Sequence, residues 1–320
     1  MRDAGSLLLM GKLRTHSCRS KSKRNFFEKR PESHSQKPQL VDTARGEAAE
    51  MPLPPLREEN DRAVGDAAGR PGSPHKLCPG DEAFAALDAL AERFNLQAFA
   101  EGRRLTRGSA HPTPADLLVF GVTTPGSILK LSPEASAKSG KMRPALQRLV
   151  TDPTVPPDET DATLVKLCKE THKRPELRDE LLLAALALTR GCDLTDPLVC
   201  MRAWDIMHCV CASVTPTETF APFLGDYLGR CAGDQKPTFA GAAQKQLVQK
   251  AFAAHKRCAK NGVRRHPVDC ELFSALRNDV RLTTRVYFLD DTFEEVPYDV
   301  LTTVGDATPS LALAIKLKGT

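Results

Sequence analysis

Phe220, Phe223, Leu224, Tyr227 and Leu228 fall at i, i+3, i+4, i+7 and i+8, and that spacing admits one regular structure. A helix at 3.6 residues per turn brings all five side chains onto one face, whereas a strand would send neighbours to opposite sides. An aromatic stripe of this kind fills a core. Immediately before it, Thr215-Pro216-Thr217-Glu218 reads as a capping box with proline in the first helical position. The Thr215 hydroxyl would accept from the Glu218 amide while the Glu218 side chain reaches back. The sequence thus predicts a helix that opens at Pro216 and packs into a larger helical assembly.

Other segments carry related signals. Pro175 to Arg190 begins at proline, has Glu176, Asp179 and Glu180 in its early turns, continues through leucine and alanine, and stops at Gly191. Early acids and a glycine just past the end complement the helix dipole and supply a left-handed cap. Val199 to Ala212 places Trp204, Met207, His208 and Cys211 three or four apart, which turns the chain's single tryptophan inward. Phe239 to Lys260 reads as a long helix ending at Asn261-Gly262, and Pro267 to Arg277 as a short one with Leu272 and Leu276 inward. Phe84, Leu87, Leu90 and Phe94 mark a helical lead-in, Leu164, Leu167 and Cys168 a stripe behind the polar run 152–161, and Ala115 to Leu131 stays ambiguous.

Beyond residue 280 the period changes. Thr283 to Leu289 is β-branched and aromatic, Asp290-Asp291 makes a turn, Phe293 to Tyr298 forms a second strand, and Thr302-Thr303 opens a last helical stretch. A hairpin with one helix is too small to stand alone. Pro309 falls inside that last stretch, where an interior proline costs about 3 kcal/mol. The expected fold class is mainly α, a helical bundle with a small, truncated α+β lobe at its C-terminal side. Residues 1–80, rich in Arg, Lys, Ser, Pro and Gly without a sustained apolar period, read as a disordered basic tail. The basic, serine-containing start, residues 1–27, also fits an organelle transit peptide.

Charge placement narrows the partners. Residues 1–80 hold 15 Lys and Arg against 10 Asp and Glu, and the rest of the chain 30 against 30. The neutral total conceals two opposed regions. Lys245, Lys250, Lys256, Arg257, Lys260, Arg264 and Arg265 form a run with no acid between 241 and 265, while 290–306 holds six acids and no cation. The basic run reads either as a solvated face with cations near a helix C-terminus or as a docking surface for an acidic partner. Nucleic acid is not expected, because Phe252 is the one interleaved aromatic and no recognisable nucleic-acid module is present. A membrane span is not expected either, since the longest apolar run near the N-terminus, Leu7 to Met10, is far shorter than roughly 18 residues.

Catalytic chemistry is not expected. Gly5 through Gly11-Lys12-Leu13 misses a phosphate-binding loop in spacing, in its final residue and in context. Arg178-Asp179-Glu180 pairs two carboxylates with a cation, but neighbours on a helix diverge, so an internal ion network is expected and not an acid–base pair. The ten cysteines contain no C-x-x-C pair, and His208 beside Cys209 supplies at most half of a zinc site, so free thiols, no metal and no cofactor are expected.

In chain order, Leu177-Arg178-Asp179-Glu180-Leu181, Ala203-Trp204 with Cys209, Thr215-Pro216, the helix Phe220 to Leu228, and Asn261-Gly262-Val263-Arg264 with Pro267 and Glu271 resemble the myosin tail homology 4 domain. That domain is an all-helical bundle in the tails of certain myosins and of plant and algal kinesins. Behind it, Thr283 to Glu295 and Thr302-Thr303-Val304 look like the opening of a FERM domain, whose first lobe is ubiquitin-like. The junction resembles that of the kinesin-like calmodulin-binding family. The resemblance implies a helical lead-in at 81–114, the homology domain at 115–280 and a partial FERM lobe at 281–320. It makes Arg178, Asp179, Glu180, Trp204, Pro216, Gly262, Pro267 and Glu271 structural motif residues. Residues 181–198 depart from the family by substituting leucine and alanine for a polar stretch.

The function implied is a non-catalytic cytoskeletal binding module in the cytoplasm. It would dock through the basic run on microtubules, whose tubulin surface is acidic, or on a cargo protein. Calmodulin is not an expected partner of this segment. The alternative is a fragment of a kinesin-type motor ATPase whose motor domain lies outside this chain.

Overall fold

The computed structural model describes residues 80–103, 111–122, 124, 126–192, 196–233, 241–288 and 291–314. The basic tail apart from Gly80, the transit-peptide reading and the near-miss phosphate loop lie outside these residues. The described chain is mainly helical: α1 Leu96–Arg103, α2 Pro114–Leu117, α3 Pro133–Thr151, α4 Pro157–Lys173, α5 Leu177–Thr189, α6 Pro197–Ser213, α7 Ala221–Gly233, α8 Gly241–Asn261 and α9 Cys270–Arg277. An antiparallel hairpin, β1 Leu282–Tyr287 and β2 Phe293–Tyr298, and the helix α10 Val304–Ala314 complete it.

The centre of the bundle is α5, in which every residue from Asp179 to Thr189 is buried. A helix apolar on all sides belongs inside other helices. Helix α6 packs beside it and presents Trp204, Met207 and Cys211 to the same core. Trp204 stacks on Tyr227 of α7 with ring centroids 6.4 Å apart, so the aromatic stripe is core as expected.

Three expectations change. The lead-in Asp81–Arg93 is a 3₁₀ helix, not an α-helix. Phe84, Leu87 and Leu90 are three apart, so a three-residue turn stacks them on one edge. Such long 3₁₀ runs are uncommon, and this one is fastened from outside: the Arg190 Nε lies 2.8 Å from Asp81, and its guanidinium sits 4.2 Å over the Phe84 ring. At its start, Gly80 has φ 84°, and a Cβ there would meet the Tyr227 ring at 2.7 Å. Only glycine fits both conditions.

The second change concerns the capping box at Thr215. Helix α7 opens at Ala221, not at Pro216. The Thr215 hydroxyl donates to the Gly262 carbonyl at 2.9 Å, while the Thr217 amide and hydroxyl donate to Asp179 at 2.9 and 2.6 Å. A buried carboxylate from α5 therefore organises the turn that Glu218, exposed, was expected to cap.

The third is α3, which the sequence pattern did not announce. Its inward positions are Ala135, Ser139, Met142, Leu146, Leu149 and Val150. Two of the first three are small, and Pro144 interrupts the run, so the apolar period is faint although the spacing is helical. In the hairpin, Thr284 faces Val296 and Arg285 faces Glu295, and Asp291 at the turn takes φ 62°. Pro309 does lie inside α10.

Candidate docking surface

Helix α8 carries most of the basic run. At about 100° per residue, Lys245, Lys256 and Lys260 fall within about 60° of one another, while Lys250 and Arg257 point about 120–140° from Lys245. Their surroundings differ accordingly. Lys250 Nζ lies 2.5 Å from Asp279, and Arg257 Nη2 lies 3.1 Å from Asp306. Past the helix, Arg264 donates through Nη1 to the Val300 carbonyl, and Asn261 Nδ2 donates to Leu301 O at 3.1 Å. Lys250, Arg257 and Arg264 are thus engaged in internal contacts, the latter two with the chain that leads from β2 into α10.

The remaining four cations face outward. Lys245, Lys256, Lys260 and Arg265 are exposed, and none has a carboxylate partner among the described residues. Lys256 Nζ rests 4.1 Å over the Phe252 ring, which packs against Gly229 of α7. The helix ends at Gly262, whose φ of 74° supplies the left-handed cap and whose amide bonds to Cys258 O at 3.0 Å. On the opposing segment, the Thr303 amide and hydroxyl, with Arg257 behind them, hold the Asp306 carboxyl down at about 2.

The acidic pair of the Arg178-Asp179-Glu180 set faces inward, and its work is done on backbone amides and hydroxyls. Glu180, 2% exposed, accepts from the Ile128 and Leu129 amides at 2.7 and 2.9 Å and from the Ser139 hydroxyl at 2.5 Å. Burial nonetheless pushes its carboxyl up from the usual range, against the pull of those donors. Nearby, buried Arg143 donates to Leu117 O at 2.9 Å and Val119 O at 3.1 Å. The Ile128 and Leu129 amides are thus held by a carboxylate and the Leu117 and Val119 carbonyls by a guanidinium, which satisfies backbone groups that no helix or strand pairs. Asp179 meets Arg93 at 3.5 Å besides its Thr217 bonds, so the ion network expected here is reduced to one long contact. Arg178 lies on the other side of the helix. Sequence reasoning missed Arg143 and Ser139, whose signal was hidden with the period of α3.

Among the other motif residues, Trp204 and Pro216 are buried, Pro267 is half-buried, and Glu271 is exposed in the first turn of α9. Asp269 caps that helix by accepting from the Leu272 amide at 2.9 Å. Arg277, at its other end, bonds Asp161 of α4 at 2.9 Å and Asp205 of α6 at 2.7 Å. His208 is 5% exposed, and burial, with Lys250 nearby, lowers its imidazole to about 4. A neutral core histidine results. Burial pushes the Cys168 thiol up to about 12. Among the described residues, no three His, Cys, Asp or Glu side chains converge on a point, and no helix is long and apolar enough to cross a membrane.

This arrangement has known counterparts. Residues 164–271 match the family model of the MyTH4 domain. The kinesin-like protein KIN-14E of Arabidopsis thaliana is 35% identical over 199 residues, covering 60% of this chain and 15% of that protein. The kinesin-like protein KIN-14I of Oryza sativa subsp. japonica is 34% identical over 209 residues, covering 64% of this chain and 16% of that protein. The chain therefore spans about 15% of the length of these relatives. In structure, the MyTH4-FERM MF1 domain of Dictyostelium discoideum myosin VII superposes with a TM-score of 0.58 at 14% identity, covering 74% of this chain and 46% of that one. The C-terminal MyTH4-FERM domain of human myosin 7b, solved in complex with the harmonin-a PDZ3 domain, gives 0.50 at 16% identity, covering 73% and 44%. These two likenesses speak for the fold. Residues 164–271 thus resemble the MyTH4 domain in sequence, and the described residues have a fold of the MyTH4-FERM type.

Proposed function

We propose that this chain is a non-catalytic docking module of a cytoskeletal motor tail, and that it binds microtubules through Lys245, Lys256, Lys260 and Arg265. The observation that carries the reading is the division of the basic run. Lys250, Arg257 and Arg264 serve the protein's own chain, whereas the other four stand in solvent along one side of α8 and past its end. Cations without carboxylate partners on one face attract an acidic surface at long range and lose that attraction as salt rises. Tubulin presents such a surface. Reversing these four residues to Glu should abolish sedimentation with microtubules at low ionic strength while the helical spectrum stays intact. Unchanged pelleting by the folded variant would sink the reading.

A cargo protein is the other acidic partner compatible with the same face. It finds support in the myosin 7b MyTH4-FERM domain, which was solved with a protein bound. A second reading, a fragment of a kinesin-type motor ATPase, rests on the small share of the kinesin-like relatives that this chain spans. Sequencing the full-length transcript decides it: a phosphate-binding loop in a contiguous motor domain would make the whole protein an ATPase.

A further inference from the structure

Arg178 is the member of the Arg178-Asp179-Glu180 set that holds no turn. Asp179 and Glu180 are buried against other elements, and Arg178 diverges from its neighbour by about 100°. It lines a narrow cleft between α4, the start of α5, the end of α6 and the loop that follows α8. His172, Arg264 and His266 line the same cleft, and no carboxylate does. Among the described residues the Arg178 guanidinium has no hydrogen bond or ion pair.

Arg264 supplies an independent observation. Its Nη1 is satisfied by Val300 O, but its Nε is shut off from solvent and has no acceptor. A buried donor without a partner calls for an explanation. The acids nearest to it are occupied: Asp269 caps α9, and Asp299 accepts from the Leu301 amide and the Thr302 hydroxyl, both at 2.8 Å. The cleft's hydroxyls are committed as well, Ser213 to Cys209 O at 2.7 Å and Thr215 to Gly262 O at 2.9 Å. What the cleft lacks is an acceptor of negative charge.

We propose that this cleft is an anion site that takes a carboxylate from an acidic segment of a partner protein. A planar carboxylate accepts two parallel bonds from a guanidinium fork, and bonds of this charge-assisted kind are the strong ones. Val214, Val263, Pro267 and Val268 give the cleft apolar walls, with Val263 53% exposed. Those walls suit a carboxylate borne on a peptide better than a free, fully hydrated ion. The site uses neither Lys245, Lys256, Lys260 nor Arg265, so it stands or falls separately from microtubule docking.

The test titrates the full chain with an N-acetylated hexaglutamate peptide, and in parallel with inorganic phosphate, following the arginine Nε–Hε resonances by NMR. Saturable displacement of the Arg264 resonance by the peptide is expected, with affinity at least about tenfold weaker in Arg178→Gln and within about twofold of the parent in Lys141→Gln, an exposed position on α3. Unchanged affinity in folded Arg178→Gln, or a response confined to the α8 lysines, overturns the proposal. So does a resonance that saturates with phosphate but not with peptide. Should Arg178→Gln fail to fold, the Arg264 resonance of the parent chain decides alone: an unmoved peak refutes the site.

Discussion

Helix α5 and the hairpin unit of β1, β2 and α10 use the same device at opposite depths. In α5 the carboxylates of Asp179 and Glu180, each 2% exposed, hold backbone amides of the 117–129 segment and of the turn before α7. In the hairpin unit, Asp306 holds the Thr303 amide and hydroxyl at 2.8 and 2.9 Å in open solvent. Around α5 nearly every neighbour is apolar and buried. The hairpin unit buries Val296 and Val300 but exposes Tyr287 at 63%, Phe293 at 48%, Val304 at 77% and Leu313 at 79%. The bundle is therefore held by its core, whereas the hairpin unit joins it through Val300 and Leu301 and through the polar contacts of Arg257, Asn261 and Arg264. A hydrogen bond at depth has no water to replace it, and one at the surface does.

The largest effect should follow from breaking the deep member. Glu180→Ala would strand two amides, the Ser139 hydroxyl and the positive charge of Arg143 in a site that water does not reach. Removing one partner from such a cluster costs about 3–5 kcal/mol. Urea unfolding at neutral pH should show that loss as a lower midpoint with the same slope. Asp306→Ala, its surface counterpart, should leave the midpoint nearly where it was. Comparable midpoints for the two variants would overturn the contrast.

That contrast was only partly legible in the sequence. The core helices were, because Phe220 to Leu228 and Val199 to Ala212 carry strong periods and no competing signal. The hairpin was as well, through β-branched runs around an Asp-Asp turn. What stayed hidden depends on partners far along the chain. Thr215-Pro216-Thr217-Glu218 has every local mark of a capping box, yet the Thr215 hydroxyl donates to Gly262 O and Asp179, 38 residues earlier than Thr217, takes the Thr217 amide and hydroxyl. The carboxylate wins because, 2% exposed itself, it has little water to bond and takes the half-buried Thr217 donors instead. The same holds for the basic run, where seven cations read as one patch. Helical geometry divides them, and acids at 279 and 306 take two of them. Charge counting finds such a run, but only the distribution of its partners shows which side is free.

A second, smaller effect sharpens the comparison through pH. His208 is buried in α6, and its imidazole is lowered from an ordinary 6.5 to about 4. The unfolded chain binds a proton at this residue below about 6.5 and the folded chain only below about 4. Stability therefore falls as pH drops through that window, by about 3 kcal/mol when fully expressed. His208→Gln should flatten this part of the pH profile, measured by thermal unfolding between pH 7 and 4. A variant that keeps the full slope would place the sensitivity elsewhere.

The smallest effect belongs to the exposed pair that joins α8 to the hairpin unit. Asp306 is lowered from 3.8 to about 2 by the Thr303 amide and hydroxyl first and by Arg257 second. Because its folded value is depressed, its contribution is present above about 3.8 and disappears as pH falls through about 2. In Arg257→Ser the charged neighbour is gone but the Thr303 bonds remain. The midpoint of the Asp306 titration, followed at the Thr303 amide by NMR, should then move up from about 2 without reaching 3.8. Global unfolding should be unchanged, since exposed ion pairs contribute little. An unmoved midpoint would mean that Thr303 alone holds Asp306, leaving Asn261 and Arg264 as the polar links between α8 and the hairpin unit.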